Sequence, residues 1–211
     1  DKKIQVNKSN NKFKNLLEQA TNHATEKQRI RLEEKRLMLP KLQDLQQLLK
    51  LEHLPRVIEC FDVAIWQGSS PTASQVVFVD GRPSKADYRY YHLEELPEGN
   101  NDYAMMKEVL RRRMQRGKLP DLVVIDGGKG QLNVALQVCH ELGLQIPLVA
   151  LAKEKKANNT YERIFQAGNA HATPLDYSSL AAQLLTHLRD EAHRFSRRLH
   201  HHAEKKRVLG L

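Results

Sequence analysis

Three features of the 211-residue chain predict an α/β fold: a mixed sheet, helices on both faces and an N-terminal helical arm. Apolar residues recur at helical spacing from about Asn11 to Leu51. The period then shortens to that of strands as far as Leu93, and from Asp102 onward helical and strand-like runs alternate. Consecutive strands with short connections make an antiparallel meander, whereas strands separated by helices make parallel pairs.

Residues 1–10 are polar. The arm that follows carries Leu16, Leu17 and Ala20, then Leu32, Leu37, Leu42, Leu45, Leu48 and Leu49, and Pro40 predicts a break into two helices. This divides the chain into an arm or linker over 1–52 and a body over 53–211. Val57 to Ile65 is apolar and ends in Gly68, Ser69, Ser70 and Pro71, as a central strand does. Ala73 to Val79 is a second strand, Asp80-Gly81 a hairpin turn, and Lys85 to Leu93 an alternating third strand. A helix is predicted over Asp102 to Arg116, a buried strand over Leu122 to Ile125, a helix over Gln131 to Leu142 and a buried strand over Pro147 to Leu151. Lys153 to Asn169 is polar and loop-like, with a possible strand at Tyr161 to Gln166. A long helix then runs from Ser178 to about His202, with Ser178 or Ser179 as its N-cap. This order resembles the ribonuclease-H-like fold, in which the first and fourth strands lie side by side at the sheet centre.

Lys and Arg number 34 against 25 Asp and Glu, a net charge of +9. Such an excess favours a polyanionic partner, because neutralised phosphates release condensed counterions, although a solvated basic face has the same composition. Cys60 and Cys139 sit inside apolar runs as buried free thiols, neither a disulfide framework nor a zinc site, which points to the cytoplasm. No signal peptide and no apolar run of about 18 residues is present, so no membrane segment is expected. Asp1 in place of Met, and a basic helix running to Leu211, suggest a piece of a longer protein.

A carboxylate inside a central strand is costly unless it has a partner. Alternation puts Asp62 on one face with Ile58, Cys60 and Ala64, as a metal anchor, and Glu59 on the other, as a structural ion-pair partner. Asp126 ends the fourth strand and opens the turn Gly127-Gly128-Lys129-Gly130, where glycines allow positive φ and close approach and the helix N-terminus favours an anion. The turn lacks the P-loop spacing. On the last helix Leu180, Leu184, Leu188, Ala192, Phe195 and Leu199 form the apolar stripe. Thr186, Arg189, Asp190, His193, Arg197 and His200 form the polar one. From there His193 could bind metal, relay a proton or orient water. Lys129, Lys153, Arg189, Arg194 and Arg197 are candidate ligands of a nucleic-acid backbone. Tyr88, Tyr90 and Tyr91 could stack on bases, though strand tyrosines more often pack. The pattern suggests phosphodiester hydrolysis with Mg2+ or Mn2+ held by Asp62 and Asp126.

Arg56 to Asp62, Val76 to Gly81, Asn101 to Met106, Leu119 to Leu132, Leu151-Ala152-Lys153 and Arg189 to Phe195 together resemble the C-terminal endonuclease half of the UvrC family of excinuclease proteins. The resemblance implies a ribonuclease-H-like domain that incises damaged double-stranded DNA 5′ of the lesion in bacterial nucleotide excision repair. It implies catalytic Asp62, Asp126 and His193, and a functional Asp102, which by its position reads rather as a helix N-cap. Partnership with a UvrB–DNA complex would run through family modules outside this chain. The family continues after its first Asp with Ile-Ser-His-Thr-Gln-Gly, whereas this chain has Val63-Ala64-Ile65-Trp66-Gln67-Gly68. That apolar replacement keeps a second reading open, a catalytically weak ribonuclease-H-like module that binds DNA or a partner. A junction or hybrid nuclease of the same fold is a third.

Overall fold

A computed structural model describes residues 2–64, 72–93, 102–156, 159–169 and 171–209, with side chains throughout except at 2–10, 64, 154–156, 159–161 and 199–209. The chain separates into two compact units, Asp1–Leu39 and Pro40–Leu211. The first is helical, with Arg29 paired to Glu26 and Glu33 on its surface. Helix α1 spans Lys2–Leu49 without the break expected at Pro40. Proline in a helix interior costs about 3 kcal/mol. Here strong helix formers flank it, and just beyond it Leu42, Leu45 and Leu49 are buried in the core of the second unit. That burial, on the order of 1.5–3 kcal/mol per leucine, fixes the segment after Pro40 as helix. The compact unit therefore starts at Pro40, ahead of the boundary expected at residue 53.

The second unit is the predicted mixed sheet. Strand β1 (Val57–Ala64) pairs antiparallel with β2 (Thr72–Val79), with Val57 opposite Val79 and Ala64 opposite Thr72. The turn after β2 has Asp80 at φ 50° and Gly81 at φ 79°, the left-handed pair that matches strand twist in a tight hairpin. The expected third strand is interrupted. Arg82–Pro83 (β3) and Arg89–His92 (β4) both pair with β2, and a 3-10 turn at Lys85–Asp87 separates them. Pro83 can donate no ladder bond, so pairing stops there and resumes after the turn.

Helix α2 (Asp102–Met114) leads to β5 (Leu122–Asp126), which pairs in parallel with β1 as the ribonuclease-H-like order requires. Helix α3 (Lys129–Glu141) crosses to β6 (Leu148–Lys156), parallel to β5. In the segment expected to be loop-like from Lys153 to Asn169, the strand expected at Tyr161 to Gln166 is present, and it forms a hairpin with an extended β6. Strand β6 continues to Lys156 and pairs antiparallel with β7 (Asn159–Gln166), and a short β8 (Thr173–Pro174) follows. The consecutive charged residues Lys153, Glu154, Lys155 and Lys156 hide the strand signal, because they show no apolar alternation. The sheet order is β3-β2-β1-β5-β6-β7-β8, with β4 also on β2.

Each sheet face has its own core. Phe61, Val123, Ile125 and Ala150 pack under α2 and α3 through Met105, Met106, Leu110, Leu132 and Val138. Cys60, Val124, Leu151 and Ile164 pack on the opposite face under α4 (Leu180–Leu209) and the foot of α1. Ser179 caps α4, its hydroxyl accepting from the Ala182 N–H at 3.1 Å, and the Asp44 carboxylate of α1 accepts from the Ala181 N–H at 2.7 Å. Among the described residues no helix is long and apolar enough to cross a membrane.

Candidate metal centre

The parallel register of β1 and β5 sets Phe61 against Ile125, so the next residue on each strand is an aspartate, Asp62 and Asp126. Alternation turns both towards the face that carries Cys60 and Val124. Helix α4 is clamped over that face by Leu184, Leu185, Leu188 and Ala192, and the residue after Ala192 is His193. Its imidazole spans the two carboxylates, with Nδ1 3.4 Å from Asp62 Oδ2 and Nε2 3.0 Å from Asp126 Oδ2. One ligand atom from each of the three lies within 4.8 Å of the others.

The charges here are unbalanced in an informative way. Burial pushes the Asp126 carboxyl up to about 6, and the Asp62 charge adds to the push. The opposing pull of the His193 imidazole is too weak to cancel them. The contact with the Asp62 carboxylate raises His193 above its ordinary value, against the effect of burial. Asp126 Oδ2 is buried without a hydrogen bond, because its approach to Nε2 is close but poorly aligned. An orphaned carboxylate oxygen, a second carboxylate and an imidazole nitrogen form a donor set that can hold a divalent cation. The residues present fit such an ion.

The other candidates take different places. Asp102 is exposed in the first turn of α2 and lies outside the three-residue cluster. Its neighbour Tyr103 rests directly against Gly130, where any side chain would collide with the ring, so the starts of α2 and α3 meet. The glycine turn therefore serves close approach; Gly127, Gly128 and Gly130 have no positive φ. Lys129 is exposed at the start of α3, and Lys153 is exposed within β6. Arg197 is exposed, whereas Arg194 forks onto Glu191 with two 2.6 Å hydrogen bonds.

Arg189 corrects the helical stripe read from the sequence. It is buried, only 6% exposed, and pairs with Glu162 of β7 and with Asp190, so its guanidinium is not presented to a backbone phosphate. The buried face of α4 is wider than one apolar stripe because it docks against both the sheet and the foot of α1. Glu59 is the structural partner expected, held by Arg113 at 2.5 Å on the opposite face. Tyr88 is buried and donates to Glu191 at 2.9 Å, and Tyr91 donates to Gln75 at 2.6 Å, so both pack rather than await a base. Cys60 is a buried thiol pushed well up by burial and by the two aspartates. The Ile65-Trp66-Gln67-Gly68 part of the apolar run lies outside the described residues. Sequence reasoning missed Glu162, whose signal was the alternation of Glu162, Ile164 and Gln166 against Arg163 and Phe165.

Comparison with known proteins gives concordant results. The family model described as the UvrC RNase H endonuclease domain matches residues 46–196. A UvrABC system protein C from Prosthecochloris aestuarii is 44% identical over 177 residues, covering 82% of this chain and 28% of that protein. Its counterpart from Chlorobaculum tepidum is 44% identical over 175 residues, covering 81% and 27%. The chain thus spans little more than a quarter of the length of these curated relatives.

Proposed function

This chain belongs to the family of UvrC RNase H endonuclease domains, and from that premise we propose that it hydrolyses a DNA phosphodiester with a divalent metal held by Asp62, Asp126 and His193. The observation that carries the proposal is the convergence of these three side chains from β1, β5 and α4 on one point. Asp62 and Asp126 offer oxygens from adjacent strands, fixed by the ladder between them. When bound, Mg2+ or Mn2+ supplies positive charge for the scissile phosphoryl oxygen and acidifies water. His193 completes the donor set or carries the proton that the reaction moves, from a ring that lies between the two carboxylates. Lys129, Lys153 and Arg197, exposed around the same end of the sheet and on α4, would hold the DNA backbone without reading sequence. Asp102 would act from the first turn of α2, beside the glycine turn.

In the whole protein the substrate would be damaged duplex DNA presented by a UvrB–DNA complex in the cytoplasm, with the cut made 5′ of the lesion. Residues 1–39 would link this unit to the rest. The test is calorimetric Mn2+ titration together with plasmid nicking by the wild type, Asp62→Ala and Asp126→Asn. Binding should be lost in both variants, and nicking should fall roughly a hundredfold or more. Undiminished Mn2+ binding in both variants would sink the reading.

A further inference from the structure

Behind the three donors lies a second set of buried charges. Glu162 on β7 is 3% exposed and Arg189 on α4 is 6% exposed, and the two are ion-paired. Arg189 stands one helical turn before His193. Glu162 registers opposite Lys153 on β6, two residues beyond Leu151, which registers with Asp126. Glu162 shares the sheet face of Leu151 and Ile164, the face that holds the metal donors. The pair is therefore packed into the floor on which His193 and Asp126 sit.

We propose that Glu162 and Arg189 form a charge-balancing pair that sets the metal affinity of the Asp62–Asp126–His193 cluster without touching the ion. The inference rests on the metal reading above. A buried ion pair stabilises a fold poorly compared with apolar side chains of similar volume, so anchoring α4 does not by itself explain it. The position supplies a reason. With no metal bound, two aspartates side by side repel each other, and the guanidinium one turn below His193 offsets part of that repulsion; its charge acts on both Asp126 and His193. With a metal bound, the same guanidinium would repel a divalent cation through a low-dielectric interior. Glu162 neutralises it. Asp190 also contacts Arg189 at 2.8 Å, but its side chain is exposed and screened by solvent.

The sign of the effect separates this role from packing. Mn2+ affinity is measured calorimetrically at fixed pH and ionic strength on the full chain, for the wild type, Glu162→Gln, Arg189→Gln and the double variant, with Asp62→Ala as control. Glu162→Gln keeps the shape but leaves the guanidinium uncompensated, and should weaken Mn2+ binding about tenfold. Arg189→Gln should bind at least as tightly as the wild type. The double variant has no unpaired buried charge and should return to within about threefold of the wild type. It also decides the matter should Glu162→Gln fail to fold, which a thermal melt without metal would reveal. Wild-type affinity in Glu162→Gln, or a double variant bound more than about tenfold weaker than the wild type, would overturn the proposal while leaving the metal site intact. Absence of wild-type binding would overturn the metal reading itself, and this inference with it.

Discussion

His193 occupies the gap between Asp62 and Asp126 and supplies the positive charge that a metal would replace. Both Asp126 and His193 hold their protons more tightly in the folded chain than unfolded. Protonation therefore favours the metal-free fold. The Asp126 share fades as pH rises from its ordinary 3.8 towards about 6. The His193 share is full below its ordinary 6.5 and fades as pH passes its raised folded value. Metal binding must release these protons, so Mn2+ affinity should climb as pH rises from about 5.5 to 8, with proton release measurable by calorimetry in buffers of different ionisation enthalpy. A flat profile over that range would contradict the assignment of these donors. Asp62 and Asp126 are legible in the sequence because a carboxylate inside or at the end of an apolar strand has few structural uses. His193 is legible only through its neighbours, since its stripe on the helix is shared with ordinary surface residues. The strand face of Glu162 is legible from the alternation around it, but its pairing is not, because Arg189 is distant in sequence.

Among the elements, α4 matters most, because it carries His193 and Arg189 and is fastened at its N-terminus by two caps, Ser179 from its own chain segment and Asp44 from α1. The Asp44 contact links residues 137 apart in sequence, so no local pattern announces it. Asp44→Ala should cost about 1 kcal/mol in urea unfolding, as the loss of a helix cap does. A change below about 0.3 kcal/mol would show that solvent replaces the carboxylate at no cost. Ser179, by contrast, is readable as a cap because the signal is local. The same distinction explains the misread elements. The helix runs through the local breaker Pro40 into the buried turn of Leu42, Leu45 and Leu49, and the charged end of β6 is made into strand by its pairing with β7. Periodicity reports faces, and it falters where consecutive residues are all charged, as from Lys153 to Lys156.

For the whole molecule, the boundary at Pro40 has a direct test. Removing residues 1–39 should leave the melting temperature and Mn2+ affinity of the remainder unchanged. Removing 1–52 also takes Leu42, Leu45, Leu49 and the Asp44 cap, a loss on the order of 5 kcal/mol or more. That is a large share of the stability of an ordinary domain and should leave the remainder unfolded or nearly so at room temperature. Equal melting of the two truncated chains would move the boundary back to residue 53. The donors also lie far apart along the chain, at residues 62, 126 and 193, and the third arrives on the last helix. A ribosome adding roughly 5–20 residues per second needs several seconds to travel from Asp126 to His193. Throughout that interval the growing polypeptide carries both aspartates without the imidazole, so the three-donor cluster is completed only when the last helix docks.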